Sequence, residues 1–368
     1  MERYDFYIPT KVLFGAGRLD EIGDIITGAL AENRAPSGTD ASAGFSRAAF
    51  LCCADEWMEP IFSRAQESLF SSGIAPAGRF GDILPNPSYG QCKKALQKIQ
   101  EADADVLVVI GGGSYLDAGK WIAEQSGCSL FITVPTTAGT GGEINEWAVL
   151  TDGKTHIKES VPCRAADLAL LDPTVTLNLP PLLTLCSGMD AFSHGMEAYI
   201  SRNANPITDM YALTGLGKIV DNLEPCIRDG SNVRARGEML EGAMLCGAAM
   251  LNAGLGILHC ISNILPGFHN ACSHGSACGD LLEGVFEYNR DAVKKERIEV
   301  IEPLVSRAVE LREICRREAG LEPVIIDSAT LEAVAEHAAA NINGHTNPKP
   351  VTREGVTHLM QRQFRIED

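Results

Sequence analysis

The sequence predicts an α/β domain with a parallel sheet, followed by an all-helical domain. Two observations predict this order. The first half of the chain alternates short apolar runs with polar stretches of helical spacing, and from about residue 181 only helical spacing remains. Apolar runs separated by helices are typical of a parallel sheet covered on both faces. Because 368 residues are too many for one small core, we expect two domains, 1–178 and 179–368, divided near the sequence LNLPPLL.

Individual elements follow from the same patterns. In the first half, four apolar runs predict strands at 48–55, 104–112, 129–137 and 168–173, the last ended by a proline. Helical spacing predicts helices at 57–72 and 88–102. The stretch 31–46 is rich in small and polar residues, which favours a surface loop. In the second half, helical spacing covers 204–223, 234–254 and 329–342.

The composition narrows the class of function. The formal net charge is -17, and an acidic surface repels phosphate backbones, so we expect neither nucleic acid nor an anionic membrane as a partner. The N-terminus lacks the apolar run of a secretory signal, and no window approaches the ~20 apolar residues of a membrane span. The twelve cysteines include no CxxC pair. This pattern is typical of free thiols in the reducing cytoplasm.

A glycine cluster joins a predicted strand to a predicted helix in VLVVIGGGSYLDAGKWIA, residues 106–123. Three glycines let the backbone approach a ligand closely, and the helix N-terminus that follows favours a phosphate. The spacing is not GxGxxG, and a plain tight turn is the alternative. A strand before the cluster and a helix after it favour a phosphate-binding turn of the dinucleotide type.

A second polar loop follows a strand in FITVPTTAGTGGE, residues 131–143. Its hydroxyl groups, on Thr136, Thr137 and Thr140, lie among glycines. In open α/β sheets, ligands bind at the carboxyl ends of the strands. The loop therefore either clamps a cofactor or is an ordinary surface turn, and its sequence favours neither.

An acidic residue follows the first predicted strand of the four. The carboxylate of Asp55 can accept hydrogen bonds from adenosine ribose hydroxyls and would repel a 2′-phosphate, which favours NAD over NADP. The alternatives are that Asp55 caps the following helix, or that the neighbouring Glu56 takes the ribose role.

The stretch DAFSHGMEAY, residues 190–199, places Asp190, His194 and Glu197 at positions i, i+4 and i+7. These positions share one helix face, so Asp190 and His194 can bind one cation. A solvated ion pair has the same spacing. Further along the chain, His259 lies in an apolar helical run and His274 in a Ser/Gly turn that opens a helix. Together the four residues form an oxygen and nitrogen set suited to Fe²⁺ or Zn²⁺, with Glu197 as a supporting group.

These stretches resemble the iron-containing alcohol dehydrogenase family, related to glycerol dehydrogenase and to the dehydroquinate synthase-like fold. The matching stretches, in chain order, are GGGSYLDAGK (111–120), PTTAGTGGE (135–143), DAFSHGMEAY (190–199) and HCISN to SHG (259–275), with weaker matches at IPTKVLFGAG, LPNPS (84–88) and TNPKPVT. The resemblance implies a Rossmann-like dinucleotide-binding domain and a helical metal-binding domain. It also implies at least a homodimer.

The resemblance further assigns residues to roles. The implied metal ligands, for Fe²⁺ or else Zn²⁺, are Asp190, His194, His259 and His274. The implied contacts to NAD(H) are Asp55, Asn86, Gly112, Gly113, Ser114, Asp117, Thr136, Thr137, Thr140 and Lys158. In the implied reaction, the metal acts as a Lewis acid on the substrate oxygen, and hydride passes between the carbinol carbon and nicotinamide C4.

Two positions depart from the family pattern. Asn263 stands four residues after His259, where the family usually has a second histidine, and an amide cannot shuttle protons. Trp147 stands where an asparagine often lies near the nicotinamide. We expect both to line the catalytic pocket with His259 and His274, and to alter substrate choice and the proton path.

Three other functions remain as alternatives. They are a dehydroquinate synthase-like or glycerol dehydrogenase-like zinc enzyme, a metal-free reductase such as a maleylacetate reductase, and a catalytically altered binding protein on the same fold. The complete set of one aspartate and three histidines argues against the last two.

Overall fold

The structure, a computed structural model, describes residues 3–33, 46–153, 158–269 and 272–367. The chain divides into two compact units. The sheet unit comprises Pro9–Thr136 and Gly142–Asn178, and the helical unit comprises Met1–Ile8, Thr137–Gly141 and Leu179–Asp368. Most of the loop expected at 31–46 lies outside the described residues.

The sheet unit contains eight of the described strands. They are β1 (Lys11–Phe14), β2 (Arg47–Leu51), β3 (Ala75–Phe80), β4 (Val106–Gly111), β5 (Leu130–Pro135), β6 (Trp147–Thr151), β7 (Lys158–Pro162) and β8 (Leu168–Leu171). Six of them form a parallel sheet in the order β1-β8-β5-β4-β2-β3. The other two, β6 and β7, pair antiparallel as a separate ribbon. The four predicted strands are confirmed as β2, β4, β5 and β8.

The helices of the sheet unit are α1 (Ile22–Asn33), α2 (Glu59–Ser71), α3 (Tyr89–Glu101) and α4 (Gly113–Ser126). Two apolar cores lie in this unit, and β4 shows how they arise. Its side chains alternate, with Val108 in one core and Leu107 and Val109 in the other. A strand buried on both faces has no polar face, and this explains the uninterrupted apolar run in the sequence.

The helical unit contains nine of the described α-helices. They are α5 (Pro181–Ile200), α6 (Pro206–Arg228), α7 (Val233–Ala253), α8 (Ile257–Ser262), α9 (Leu265–Phe268), α10 (His274–Asn289), α11 (Lys295–Ala319), α12 (Ser328–Ala339) and α13 (Arg353–Gln363). The prediction of helices alone needs one correction, because β9 (Ile325–Ile326) and β10 (Arg365–Ile366) form a short parallel pair. Two-residue strands are too short to show a period of two in the sequence.

Helix α5 is the central helix of this unit. Four other helices pack against it, namely α6, α7, α10 and α11. Every residue from Gly188 to Ile200 is buried, so the helix presents no solvated face. A helix enclosed on all sides places even its polar residues in the interior, where they need partners.

Among the described residues, no single helix is long and apolar enough to cross a membrane. The bent pair formed by α7 and Ile257–Phe268 passes that test by length and composition only.

Candidate active site

Helix α5 places three ionisable side chains in the interior of the helical unit. Asp190, His194 and Glu197 are 4 %, 5 % and 2 % exposed. The interpretation as a solvated ion pair is therefore wrong. The sequence could not show this, because burial depends on the helices that pack around α5. Buried charged groups must be paired or bind a metal.

Two further histidines converge on Asp190 from other helices. His259 lies in α8, and His274 is the first residue of α10. The Nε2 atoms of His194 and His259 each lie 3.5 Å from Asp190 Oδ1, and that of His274 lies 3.1 Å away. The rings of His194 and His259 stack with centroids 4.5 Å apart. Three imidazoles thus surround one carboxylate oxygen.

Glu197 fixes the orientation of His259. Its Oε2 accepts hydrogen bonds from His259 Nδ1 at 2.7 Å and from the Gly256 N–H at 2.9 Å, and its Oε1 accepts one from the Leu258 N–H at 2.7 Å. Because a carboxylate only accepts, His259 Nδ1 carries the proton and Nε2 faces Asp190. The same carboxylate satisfies the first free N–H groups of α8. The supporting role expected for Glu197 fits these bonds.

A backbone carbonyl fixes His274 in the same way. Its Nδ1 donates to the Ser262 carbonyl at 2.9 Å, which leaves Nε2 directed at Asp190. The start of α10 lies directly on α5, since a Cβ added at Gly275 would meet the Cys186 carbonyl oxygen at 2.2 Å. The His274 side chain is 27 % exposed, whereas those of Asp190, His194 and His259 are at most 6 % exposed. The cluster therefore opens to its surroundings at His274.

The electrostatics of the cluster favour a positive charge beside Asp190. Burial alone would raise the pKa of Asp190, but the surrounding imidazoles hold it well below its ordinary value. Burial lowers the pKa of His194 to about 3. Burial alone would lower the pKa of His259, but the neighbouring carboxylates of Asp190 and Glu197 outweigh it and raise the pKa to about 9. A raised pKa means that His259 holds a proton more tightly beside the carboxylates. A cation bound among these groups would replace that proton.

The distances from the three imidazoles to Asp190 Oδ1 fit the ligand spacing of a transition-metal ion. Ligand atoms at about 2.0–2.1 Å from a tetrahedral ion are separated by roughly 3.3 Å. The contacts of 3.1–3.5 Å around Asp190 Oδ1 match that spacing. His259 Nε2 is buried and has no hydrogen-bond partner among the described residues. A buried nitrogen that is held toward a carboxylate without bonding to it is suited to ligation.

The sequence interpretation missed one donor, Cys278. This residue lies four positions after His274 on α10. Its Sγ is 3.7 Å from both Asp190 Oδ1 and His274 Nε2. One donor atom from each of Asp190, His259, His274 and Cys278 lies within 4.8 Å of the others. The same i, i+4 spacing that marked Asp190 and His194 would have found it.

In the sheet unit, the glycine-rich turn joins β4 to α4. Gly112 is the N-cap of α4, while Gly113, Ser114 and Asp117 occupy its first turns. The N–H groups at the start of a helix lack partners within the helix and favour an anion. Further along α4, a Cβ added at Gly119 would meet Val109 Cγ2 at 2.5 Å, so glycine lets the helix lie close against the sheet.

The threonine loop is divided between the two units. Thr136 is buried at the end of β5, and its N–H donates to the Gly111 carbonyl at 3.0 Å, joining the two strand ends. Thr137 and Thr140 lie in the segment that belongs to the helical unit. There Gly139 contacts α5, since an added Cβ would lie 3.0 Å from Ser187 Cβ. A plain surface turn would not be packed in this way.

Three other predicted cofactor contacts lie in the sheet unit. Asp55 is exposed after β2, the strand beside β4, and its side chain does not cap the short helix that follows. Its Oδ2 accepts a hydrogen bond from Trp57 Nε1 at 3.3 Å. Lys158 begins β7, and Asn86 adopts a left-handed backbone with φ of 58°. Their roles toward a cofactor stay predictions.

The two departures from the family pattern occupy different surroundings. Asn263 follows α8 as its C-cap, and its N–H donates to the His259 carbonyl at 3.2 Å. Trp147 begins β6 with a 46 % exposed side chain. The carbonyl of Trp147 accepts from the buried Lys120 Nζ at 2.6 Å, which fixes its backbone. Their contribution to a catalytic pocket stays a prediction.

The two units define a class of protein. A parallel sheet with a glycine-rich turn at a helix N-terminus, and a helical unit with a carboxylate and imidazole cluster, fit a metal-dependent nicotinamide oxidoreductase. Comparison with known families agrees. A model described as "Iron-containing alcohol dehydrogenase" matches residues 9–173, and one described as "Fe-containing alcohol dehydrogenase family, C-terminal" matches residues 184–364. The chain belongs to the iron-containing alcohol dehydrogenase family.

Individual relatives support the same assignment. The chain is 30% identical to the 1-propanol dehydrogenase PduQ of Salmonella typhimurium, over 77% of this chain and 84% of that protein. It is 29% identical to alcohol dehydrogenase 4 of Saccharomyces cerevisiae, over 98% of each. A crystal structure of a 1,3-propanediol oxidoreductase has the same fold, with a TM-score of 0.87 and 24% identity over 99% of this chain and 100% of that one.

The predicted resemblance and fold class are thus confirmed. The chain is an oxidoreductase that interconverts an alcohol and its carbonyl counterpart with a nicotinamide cofactor and a metal. Its substrate is a small molecule.

Proposed function

We propose that Asp190, His194, His259 and His274 hold one divalent cation, Fe²⁺ in preference to Zn²⁺, at which the alcohol or aldehyde reacts. The observation that carries this proposal is the approach of three imidazole Nε2 atoms to within 3.1–3.5 Å of one buried carboxylate oxygen. When bound, such a cation supplies Lewis acidity that stabilises negative charge on the substrate oxygen. Residues 179–368 then act as the metal-binding domain and residues 1–178 as the dinucleotide-binding domain.

The residues around the cation have separate tasks. Asp190 supplies the negative charge of the centre, and Glu197 and the Ser262 carbonyl keep the histidine Nε2 atoms free of protons. His274, the most exposed of the four, lies on the side from which a substrate would enter. Asn263 follows His259 on the same helix, and its amide can orient a substrate hydroxyl but cannot carry its proton.

The cofactor is NAD(H) rather than NADP(H) under this proposal. The turn at Gly112, Gly113 and Ser114 presents backbone N–H groups to the pyrophosphate, with Asp117 in the next turn of α4. Asp55 follows the strand next to β4, where a carboxylate accepts ribose hydroxyls and repels a 2′-phosphate. Thr136, Thr137 and Thr140, with Asn86 and Lys158, complete the proposed contacts.

The substrate is a short primary alcohol or the corresponding aldehyde. The names of two relatives, a 1-propanol dehydrogenase and a 1,3-propanediol dehydrogenase, support this class. All twelve cysteines are free, which fits a cytoplasmic location. We further propose that the chain acts as a homo-oligomer, at least a dimer.

One experiment tests the function. The purified chain is freed of metal, then assayed at 340 nm with C2 to C4 alcohols and aldehydes and NAD(H) or NADP(H), with and without added Fe²⁺ or Zn²⁺. We expect activity only with metal, and faster turnover with NAD(H). Full activity in protein that elemental analysis finds free of metal would contradict the proposal.

The same assay separates the alternatives. A dehydroquinate synthase-like enzyme uses NAD transiently, so NADH would not accumulate. A metal-free reductase of the maleylacetate type would not respond to added metal. A binding protein on the same fold would turn over none of the substrates, although it could bind the cofactor.

A further inference from the structure

We propose that the thiolate of Cys278 is a ligand of the cation in the helical unit, which makes the centre a mixed nitrogen, oxygen and sulfur site. The inference rests on the proposed metal centre and deepens it.

The position of the sulfur is that of a ligand. Cys278 Sγ lies 3.7 Å from both Asp190 Oδ1 and His274 Nε2, two of the proposed ligand atoms. With metal–sulfur and metal–nitrogen distances of about 2.3 and 2.0 Å, two ligands of a tetrahedral ion are separated by roughly 3.5 Å. A sulfur near that distance from two proposed ligand atoms could bind the same ion.

Helix α10 fixes the position of the Cys278 sulfur beside Asp190 and His274. Cys278 and His274 lie one turn apart on α10, so both side chains leave the same face of one helix. The side chain of Cys278 is fully buried, and its Sγ contacts both Asp190 and His274. A cysteine that served only to fill the interior would not need to face two ligands.

Cys278 then adds one sulfur to the carboxylate and the three imidazoles proposed as ligands. Asp190, His259, His274 and Cys278 form the compact group within 4.8 Å, and His194 flanks Asp190 on α5. Coordination replaces the S–H bond by a sulfur–metal bond and releases the proton to the buffer. Because a thiolate is a softer ligand than imidazole or carboxylate, it raises the preference for Zn²⁺ and Co²⁺ over Mn²⁺. The Fe²⁺ proposed above then meets stronger competition from Zn²⁺.

Cobalt absorption tests the inference separately from activity. The full-length chain is stripped of metal and given one equivalent of Co²⁺ without oxygen. The visible d–d bands report that the ion is bound, and a near-ultraviolet sulfur-to-cobalt charge-transfer band reports a thiolate ligand. The variants are Cys278→Ser and, as a matched control, Cys315→Ser, a buried cysteine on α11 whose charged neighbours include Glu224 and Arg228.

We expect both kinds of band in the wild-type chain and in Cys315→Ser, and only the d–d bands in Cys278→Ser. In chelator competition, Cys278→Ser should lose at least ~10-fold in affinity for Zn²⁺ and less for Mn²⁺. A charge-transfer band that is missing from the wild type, or persists in Cys278→Ser, overturns the inference while the metal centre stands. A wild-type chain that binds no Co²⁺ overturns the metal centre itself.

A second measurement removes dependence on the variant. If Cys278→Ser does not fold, X-ray absorption of the Zn²⁺-loaded wild-type chain decides. We expect one sulfur scatterer at about 2.3 Å from the zinc. A first shell of nitrogen and oxygen alone overturns the role of Cys278.

Discussion

The carboxylate and imidazole cluster and the glycine-rich turn are built in opposite ways. The cluster draws side chains from three helices, and Asp190 and His274 are separated by 84 residues of chain. The turn is one continuous stretch between β4 and α4, and its glycines present backbone groups without side chains. The cluster is buried within the helical unit, whereas Gly112, Gly113 and Ser114 remain partly exposed.

This difference indicates where each region is vulnerable. A buried charged cluster depends on every partner, because removing one leaves others unpaired. A turn built from backbone groups depends on the space that its glycines leave free. A single added Cβ atom can therefore disturb its packing. Substitutions in the cluster should therefore act on metal binding, and substitutions at the turn on packing and cofactor affinity.

The largest effect is expected at His274. His274→Ala should reduce bound metal and lower kcat by at least ~10³-fold, since the ion supplies several kcal/mol of transition-state stabilisation. Elemental analysis and turnover measure the two effects, and circular dichroism checks that the fold is intact. The matched control is His337→Ala on α12, whose Nδ1 bonds the Ala333 carbonyl outside the cluster. Equal activity in both variants would contradict the role of the cluster.

A smaller loss is expected from a residue that touches no metal. Glu197→Gln keeps the size of the side chain but replaces one accepting oxygen by an NH₂ group that cannot accept from Gly256, Leu258 or His259. We expect metal affinity to fall by about 10–100-fold, because His259 loses its orientation. Chelator competition measures this affinity. Glu238→Gln, at the Lys218 ion pair on α7, is the control, and an unchanged affinity in Glu197→Gln would show that His259 is fixed by packing alone.

The turn region should respond to added volume. In Gly119→Ala, the new Cβ would lie 2.5 Å from Val109 Cγ2, so we expect a loss of about 1–3 kcal/mol in the free energy of unfolding. In the control Gly28→Ala, an added Cβ meets nothing within 4 Å on α1, so we expect a gain of about 0.5–1 kcal/mol. Denaturant titration measures both. The same sign for both substitutions would show that helix propensity, and not packing on the sheet, decides the outcome at Gly119.

The smallest effect concerns cofactor choice. Asp55→Gly should improve kcat/KM with NADPH relative to NADH by about tenfold, because an exposed carboxylate repels a 2′-phosphate by ~1 kcal/mol or more. Initial rates with the two cofactors measure the ratio. The neighbouring Glu56→Gln should leave the ratio unchanged. If Glu56→Gln shifts it and Asp55→Gly does not, the ribose contact belongs to Glu56.

Much of the fold could be read from local patterns. The runs that became β2, β4, β5 and β8 were visible because strands buried on both faces are continuous apolar segments. Strand β3 was not predicted, because APAGRF contains glycine and proline and its residues are only half-buried. The short pair β9 and β10 gave no periodic signal at all.

Local sequence patterns establish the available residue types and their helical spacing. They therefore indicate a shared face for Asp190 and His194 and a phosphate turn at the glycines. The burial of Asp190, the bond from His259 to Glu197 and the position of Cys278 beside the cluster become visible only in the folded chain. Spacing along one helix is a local property, whereas burial and convergence depend on how α5, α8 and α10 pack together.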